Sequence, residues 1–388
     1  MTTQAAEPDI WCHDGQTRYL AGDLHTTPLG YDRHDLDVGQ QLPLPPSVDL
    51  VARLADCTQI EIALHGKLGD SLLALAAVRA AAEWLALRRG TPVRVTVTGP
   101  HTALFARTSL ARLDVLGPSD HRQVMIADRE GATTRGPGAG TYLICDPAAP
   151  PCWSTDGQAH PDLPARHYLA LERRLGVRLP ATGPFAPLLC ARSNAKVHQL
   201  HTAHWLDGLT IAAITATSWP QLKDYGADRF TEAAERIACH TDAPVRLLLI
   251  GAKTDADTQT TARAEPPRGN LQVLHLDGMP AEDLADLLPQ TDLVLGNDTG
   301  LTHLAALARN PNGAGPHVIG LYARHSHSKW RTGLPHHHAI ATPASELIHQ
   351  GDLCPVRDHL DQPTDADLTA ITPAAVADLA TRLLAGRR

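Results

Sequence analysis

Short apolar runs alternate with longer amphipathic segments along most of the chain. Ile60-Glu61-Ile62-Ala63-Leu64 is an apolar, β-prone run, followed by the turn His65-Gly66-Lys67-Leu68-Gly69-Asp70. An Ala/Leu-rich stretch then predicts a helix over about 71–89, with Leu72, Leu75, Ala76 and Leu85 on one face. Asp70 and Ser71 suit its N-cap. Strands are predicted over 93–97, 113–116, 124–127 and 142–145, and a helix over 165–175. From 179 to 205 the pattern lapses, punctuated by Pro180, Pro184 and Pro187. It then restarts. Strands are predicted at 209–215, 245–250, 271–274, 293–295 and 317–321. Helices are predicted at 228–240, after Asp255, at 280–288 and from Gly300. A closing helix over 373–386 places Val376, Leu379, Ala380 and Leu383 on one face.

Strands that alternate with helices imply parallel sheets with covered faces. The expected fold class is therefore α/β, with two doubly wound domains in tandem. Residues 1–57 read as an N-terminal extension, 58–195 as the first domain, 205–365 as the second and 370–388 as the C-terminal helix. Ligands of open α/β sheets bind beyond the strand C-termini. A ligand with two separately held halves suits two such domains.

Composition narrows the partners. The 388 residues are 43% hydrophobic and 20% charged, a globular balance. Net charge is −8, which argues against a general nucleic-acid binder. Aromatics at 4% argue against a base-stacking platform. Seven scattered Cys with no CxxC pair argue against a disulfide scaffold and point to a reducing, cytoplasmic setting. No secretory signal and no membrane-spanning apolar run is legible.

Three loops carry candidate chemistry. Gly66-Lys67-Leu68-Gly69-Asp70 joins a strand to a helix, where glycines permit close backbone approach and the helix start favours an anion. The same residues also suit a tight turn whose Asp only caps the helix. Thr217-Ser218-Trp219-Pro220-Gln221-Leu222-Lys223 offers two hydroxyls and an ammonium to a diphosphate, or is a solvated turn. Gly296-Asn297-Asp298-Thr299-Gly300-Leu301-Thr302-His303 crowds polar groups onto a strand end, with His303 about one turn into the next helix. Its bland reading is an Asp cap with an incidental His. The tracts His325-Ser326-His327 and His336-His337-His338 read as surface loops, because no nearby carboxylate or Cys completes a four-ligand metal set. Glu282-Asp283 reads as structural, complementing a helix dipole.

Taken together the loops resemble glycosyltransferase family 9, the ADP-heptose:lipopolysaccharide heptosyltransferases and their relatives. Gly69-Asp70-Ser71-Leu72 with Ala77, Arg79 and Ala81 is similar to that family's opening motif. Asn297-Asp298-Thr299-Gly300-Leu301-Thr302-His303-Leu304-Ala305-Ala306 resembles its D[ST]GxxHLAAA signature. Ser218-Trp219-Pro220 with Lys223 and Asp228-Arg229-Phe230, Gly278-Met279, and Ile371-Thr372-Pro373 with Val376 fall in the same order as in the family. The family's FGxTxPxxW turn reads Leu321-Tyr322-Ala323-Arg324-His325-Ser326-His327-Ser328-Lys329-Trp330 here, and its C-terminal Cys cluster is reduced to Cys354-Pro355.

The resemblance implies a GT-B fold, with the C-terminal helix crossing back to the N-terminal domain. It implies an inverting, metal-independent transfer from a nucleotide-diphosphate sugar, with no resident cofactor, by a monomer. Asp70 would be the general base, beside the acceptor-side residues Gly66, Lys67 and Gly69. Thr217, Ser218 and Lys223 would hold the diphosphate, with Thr299 and Gly300 completing that site. Asp298 would bind sugar hydroxyls close to His303, Met279 would pack on the base, and Asp255 would take the ribose. ADP-heptose is the favoured donor and a GDP-sugar the other. The acceptor is expected to be a small soluble molecule, as in antibiotic or other specialised metabolism. The alternatives are a lipopolysaccharide-core heptosyltransferase and a non-hydrolysing nucleotide-sugar epimerase.

Overall fold

A computed structural model describes residues 48–88, 94–108, 110, 123–128, 141–143, 162–180, 184–252, 261–351 and 367–385. The first half contains α1 (Val48–Asp56), β1 (Gln59–Ala63), α2 (Leu68–Leu87), β2 (Arg94–Thr98), α3 (Thr102–Phe105), β3 (Gln123–Ala127), β4 (Thr141–Leu143) and α4 (Leu163–Leu175). A connecting region holds β5 (Leu189–Cys190) and α5 (Ala195–Thr202). The second half runs β6 (Leu209–Ile214), α6 (Pro220–Lys223), α7 (Ala227–Ala238), β7 (Val245–Gly251), β8 (Thr261–Ala264), β9 (Leu271–Asp277), α8 (Ala281–Leu287), β10 (Leu293–Asn297) and α9 (Gly300–Leu307). It continues with β11 (Ala308–Arg309), β12 (His317–Tyr322), β13 (His337–Ala341), α10 (Pro343–Gly351) and α11 (Pro373–Ala385).

The first sheet has strand order β2-β1-β3-β4, all parallel. The chain leaves β1 in one direction to β2 and lies beside β3 on the other side, so the order reverses at β1. The second sheet has order β13-β12-β10-β6-β7-β9-β8. Every pairing in it is parallel except β8 with β9. Its order reverses between β6 and β10. The loops after β1, β6 and β10 therefore leave from the switch points of open sheets, where ligands bind. Two open, mostly parallel sheets with helices between them are the expected α/β architecture.

Packing explains why the halves hold together. α2 is buried along most of its length, and its Ala-rich sequence lets it lie close to both α4 and α9. One cluster of buried side chains continues from Ile62, Leu75 and Val78 through Leu304 and Leu307 to Leu248 and Leu276. Arg107 and Asp286 form a buried ion pair between the halves, and Asp286 also accepts the Arg192 amide at 2.7 Å. β5 pairs with β11, a further tie.

Several expectations change. α2 begins at Leu68 with Lys67 as N-cap, so Asp70 lies inside the first turn and Ser71 is a buried helical residue. Ser71 Oγ instead donates to the Gly66 carbonyl at 3.0 Å. The stretch after Asp255 emerges as the antiparallel strand β8, while residues 253–260 lie outside the described residues. The strand expected over 113–116 also lies outside them. Within the span read as an extension, α1 inserts Leu50 and Leu54 into the first core.

The closing helix is a correction. α11 was expected on the first domain, but it packs on α7 and β12 of the second half. Val376, Leu379, Ala380 and Leu383 join Phe230, Ile237 and Ile319 in a single core. The apolar face of α7 needs a cover, and α11 supplies it. Arg229 and Tyr225 fix the approach by donating to the Ile371 carbonyl, at 2.6 and 2.9 Å.

Candidate active site

The site forms where the starts of α2 and α9 meet. A Cβ built on Gly300 would lie 2.6 Å from the Gly69 amide nitrogen. One built on Gly69 would lie 3.1 Å from His303 Cδ2 and 3.2 Å from Gly300 Cα. A side chain at Gly300 would force the two backbones apart, and one at Gly69 would need its neighbours to give by a few tenths of an ångström. The loop before α2 is fixed from β3, since the Gly66 amide donates to Asp128 at 2.9 Å. Asp70 sits half-buried in the first turn of α2, beside this junction.

On the second half, β10 carries Asn297 and Asp298 to its C-terminal end. Thr299 is the N-cap of α9 in extended conformation. Thr302 Oγ1 donates to the Asn297 carbonyl at 2.6 Å, and a Cβ at Gly296 would collide with that hydroxyl. Gly296 is thus required by close packing inside the strand-to-helix turn. Asn297 Oδ1 accepts the Tyr225 amide at 3.1 Å, which ties the loop after β6 to the same strand end.

Asp298 is the electrostatic centre. Lys223 Nζ lies 2.9 Å from Asp298 Oδ2 and His325 Nδ1 lies 2.6 Å from the same oxygen. Burial opposes the charge on Asp298, but Lys223, His325 and His303 outweigh it and hold the carboxyl well below the usual carboxylate range. His303 is almost completely buried, and its Nδ1 has no hydrogen-bond partner. Burial pushes its imidazole down to about 4, against the pull of Asp298 and with the push of Lys223. At neutral pH Asp298 is therefore an anion and His303 a neutral imidazole.

Trp219 joins the two halves at the surface. Its exposed ring has Lys67 Nζ 4.5 Å from its centroid and Lys223 Nζ at 5.5 Å. Two cations and an exposed aromatic face offer charge and stacking to an anionic, planar ligand.

The structure thus brings together Lys67, Gly69, Asp70, Lys223, Asp298, Thr299, Gly300 and His303. Thr217 and Ser218 lie in the loop after β6. Thr217 Oγ1 accepts the Trp219 amide at 3.3 Å, and Ser218 is exposed. Met279 is buried after Gly278, which turns the chain with φ 70°. Asp255 lies outside the described residues.

Sequence reasoning missed His325 as a partner of Asp298, and it misread both histidine tracts. His327, His337 and His338 are fully buried rather than on surface loops. His337 Nδ1 accepts the Thr332 amide at 3.2 Å inside the edge strand β13. Neutral imidazole tolerates such burial; for His327 and His337 burial pushes the pKa down. A carboxylate does lie nearby, Glu346 at 2.7 Å from His327, although the described residues gather three candidate ligands rather than four. The signal available in the sequence was Glu346-Leu-Ile-His349, a helical i, i+3 pair. Asp283 is structural as expected, accepting Lys196 Nζ at 2.6 Å and Asn194 Nδ2 at 2.8 Å.

Two open α/β sheets with these loops between them have the arrangement of the GT-B fold. The family model for glycosyltransferase family 9 (heptosyltransferase) matches residues 165–355. The matched residues, just under half of the chain, include Lys223, Asp298, Thr299, Gly300 and His303. Asp70 precedes them. Among solved structures, the chain is similar to ADP-heptose lipopolysaccharide heptosyltransferase II of E. coli, at 14% identity and a TM-score of 0.52. That match covers 85% of this chain and 99% of the other, and it shows a shared fold. E. coli heptosyltransferase WaaC, solved with ADP, is similar at 15% identity and a TM-score of 0.49, over 84% of this chain and 99% of that one. Methanocaldococcus jannaschii UDP-GlcNAc 2-epimerase is similar at 10% identity and a TM-score of 0.29, over 84% and 99%. No curated protein sequence matches the chain. Among the described residues, no helix is long and apolar enough to cross a membrane.

Proposed function

We propose that this glycosyltransferase inverts the anomeric centre of a nucleotide-diphosphate sugar, ADP-heptose by preference and a GDP-sugar second. The acceptor is a hydroxyl of a small soluble molecule, as in specialised metabolism. The reading places the acceptor and its base on 58–195 and the donor on 205–365, in a cytoplasmic monomer.

The transfer balances simply. Asp70 takes the acceptor hydroxyl's proton as the oxygen bonds the anomeric carbon. The bond from that carbon to the distal phosphate oxygen breaks, and the nucleoside diphosphate leaves with the electron pair. A positioned general base contributes roughly 10²–10⁴-fold. The leaving charge is met by the Thr299 and Gly300 amides at the start of α9 and by Lys223, so the step is written without a metal or a resident cofactor. In this reading Asp298 and the neutral His303 take the sugar hydroxyls.

The observation that carries this reading is the contact between the Gly69 and Gly300 backbones, which sets a carboxylate and an anion-favouring helix start side by side. The test is Asp70→Asn in a transfer assay with donor-binding measurements. Transfer is expected to fall at least about 100-fold while donor affinity stays within a few fold. Unchanged turnover removes Asp70 as the base.

A further inference from the structure

The loop between β12 and β13 and the helix α10 hold a second cluster, separate from Asp70 and Asp298. His327 Nε2 lies 2.7 Å from Glu346 Oε2. The His327 and His349 rings have centroids 4.8 Å apart. One ligand atom from each of His327, Glu346 and His349 lies within 4.8 Å of the others. We propose that these three side chains form a binding site for a divalent transition-metal ion of the zinc class.

Donor chemistry selects that class. Two imidazoles and one carboxylate suit first-row divalent ions and are an established zinc set, with a fourth position left for water. Glu346 and His349 are three residues apart on α10 and share one face. Glu-x-x-His at this spacing is how helices present metal ligands in carboxylate-bridged sites. His327 is fully buried, whereas Glu346 and His349 keep partial exposure. Ser328 Oγ and His349 Nδ1 are 2.7 Å apart, an outer bond of the kind that orients a ligating imidazole.

Geometry asks for small adjustments. Ligands about 2.0–2.2 Å from a tetrahedral ion sit roughly 3.3 Å from one another. The His327–Glu346 pair opens by a fraction of an ångström and the widest separation closes by somewhat more. The ion then clips the loop to α10. The same loop carries His325, bonded to Asp298, and the His325 carbonyl accepts Ser345 Oγ at 2.5 Å from α10. The ion's role is to fix the segment that presents His325, and the transfer step does not pass through it. The site stands whether or not the donor assignment does.

The test uses the full chain, stripped with a chelator and titrated with Co²⁺, followed by visible absorption and then by Zn²⁺ competition. One equivalent of Co²⁺ is expected to give saturable d–d bands that Zn²⁺ displaces. Zn²⁺ is expected to raise Tm. Glu346→Gln and His349→Ala are expected to weaken Co²⁺ at least about 100-fold and to abolish the Zn²⁺-dependent rise, with metal-free Tm reporting that each variant folds. Glu346→Gln keeps the shape of the side chain and guards against misfolding. No stoichiometric band in the wild type overturns the site. So does equal affinity in the wild type and both variants, which would place the ion on other histidines.

Discussion

Gly69 and Gly300 touch backbone to backbone, with no room for a Cβ on Gly300 and little on Gly69. They come from the starts of two helices in different halves of the chain, and their contact sets the spacing between Asp70 and Asp298. Gly300→Ala is expected to push α2 and α9 apart. Overpacking of this kind costs about 1–3 kcal/mol. The account predicts a loss in kcat/KM larger than the drop in stability alone explains, measured by kinetics and thermal unfolding on the same preparation. A variant with unaltered kcat/KM would mean that the spacing is unimportant.

Lys223 is held by Asp298 in a pair that is mostly buried. Removing one member of a buried pair leaves the other uncompensated, at a cost of about 3–5 kcal/mol. Lys223→Ala is expected to lower Tm and weaken nucleoside-diphosphate binding, whereas Lys223→Arg recovers part of both. Calorimetric titration with ADP checks it, and full affinity in the alanine variant would move the phosphate site elsewhere.

Arg107 and Asp286 lock the halves through a buried ion pair. Asp286→Ala strands the guanidinium and frees the Arg192 amide. Tm is expected to fall by several degrees or more, because the penalty is again about 3–5 kcal/mol. A fall of under one degree in differential scanning calorimetry would deny the lock its role.

Loss of stability in acid follows from buried histidines, His303 and His167 among them. Burial pushes His303 and His167 down to about 4 from 6.5. Between pH 6.5 and 4 the unfolded chain takes up protons that the folded chain refuses, so stability falls as pH falls through that window. Each site accounts for up to about 3 kcal/mol. Urea unfolding from pH 7 to 4.5 is expected to show the decline, and His303→Gln to flatten it. An identical slope in that variant would show that His303 is accessible to protons.

Much of this was legible in the sequence. Ile60–Ala63 and Leu293–Leu295 are short apolar runs ending in Gly-rich turns, and parallel strands buried on both faces read that way. Asp298, Thr299 and Gly300 were readable for the same reason, because polar residues at such a strand end have few structural uses. β13 was not legible, since His337 and His338 count as polar in any hydropathy pattern yet lie in the core as neutral rings. Ser326, His327, Ser328 and Lys329 defeat the pattern in the same manner. The partners of Asp298 were out of reach too, because His325 and Lys223 meet it only through the sheet order β12-β10-β6. The destination of α11 depended on which helix lacked a cover, which periodicity cannot say.

The most direct measurement is thermal unfolding of the wild type with ADP, GDP, UDP and dTDP in turn, each with and without magnesium. Ligand at 100 times Kd adds about 2.7 kcal/mol to stability. The account predicts a clear rise in Tm with ADP, or with GDP in its place, of the same size in both magnesium conditions. No rise with any of the four, or a rise that needs magnesium, would contradict it.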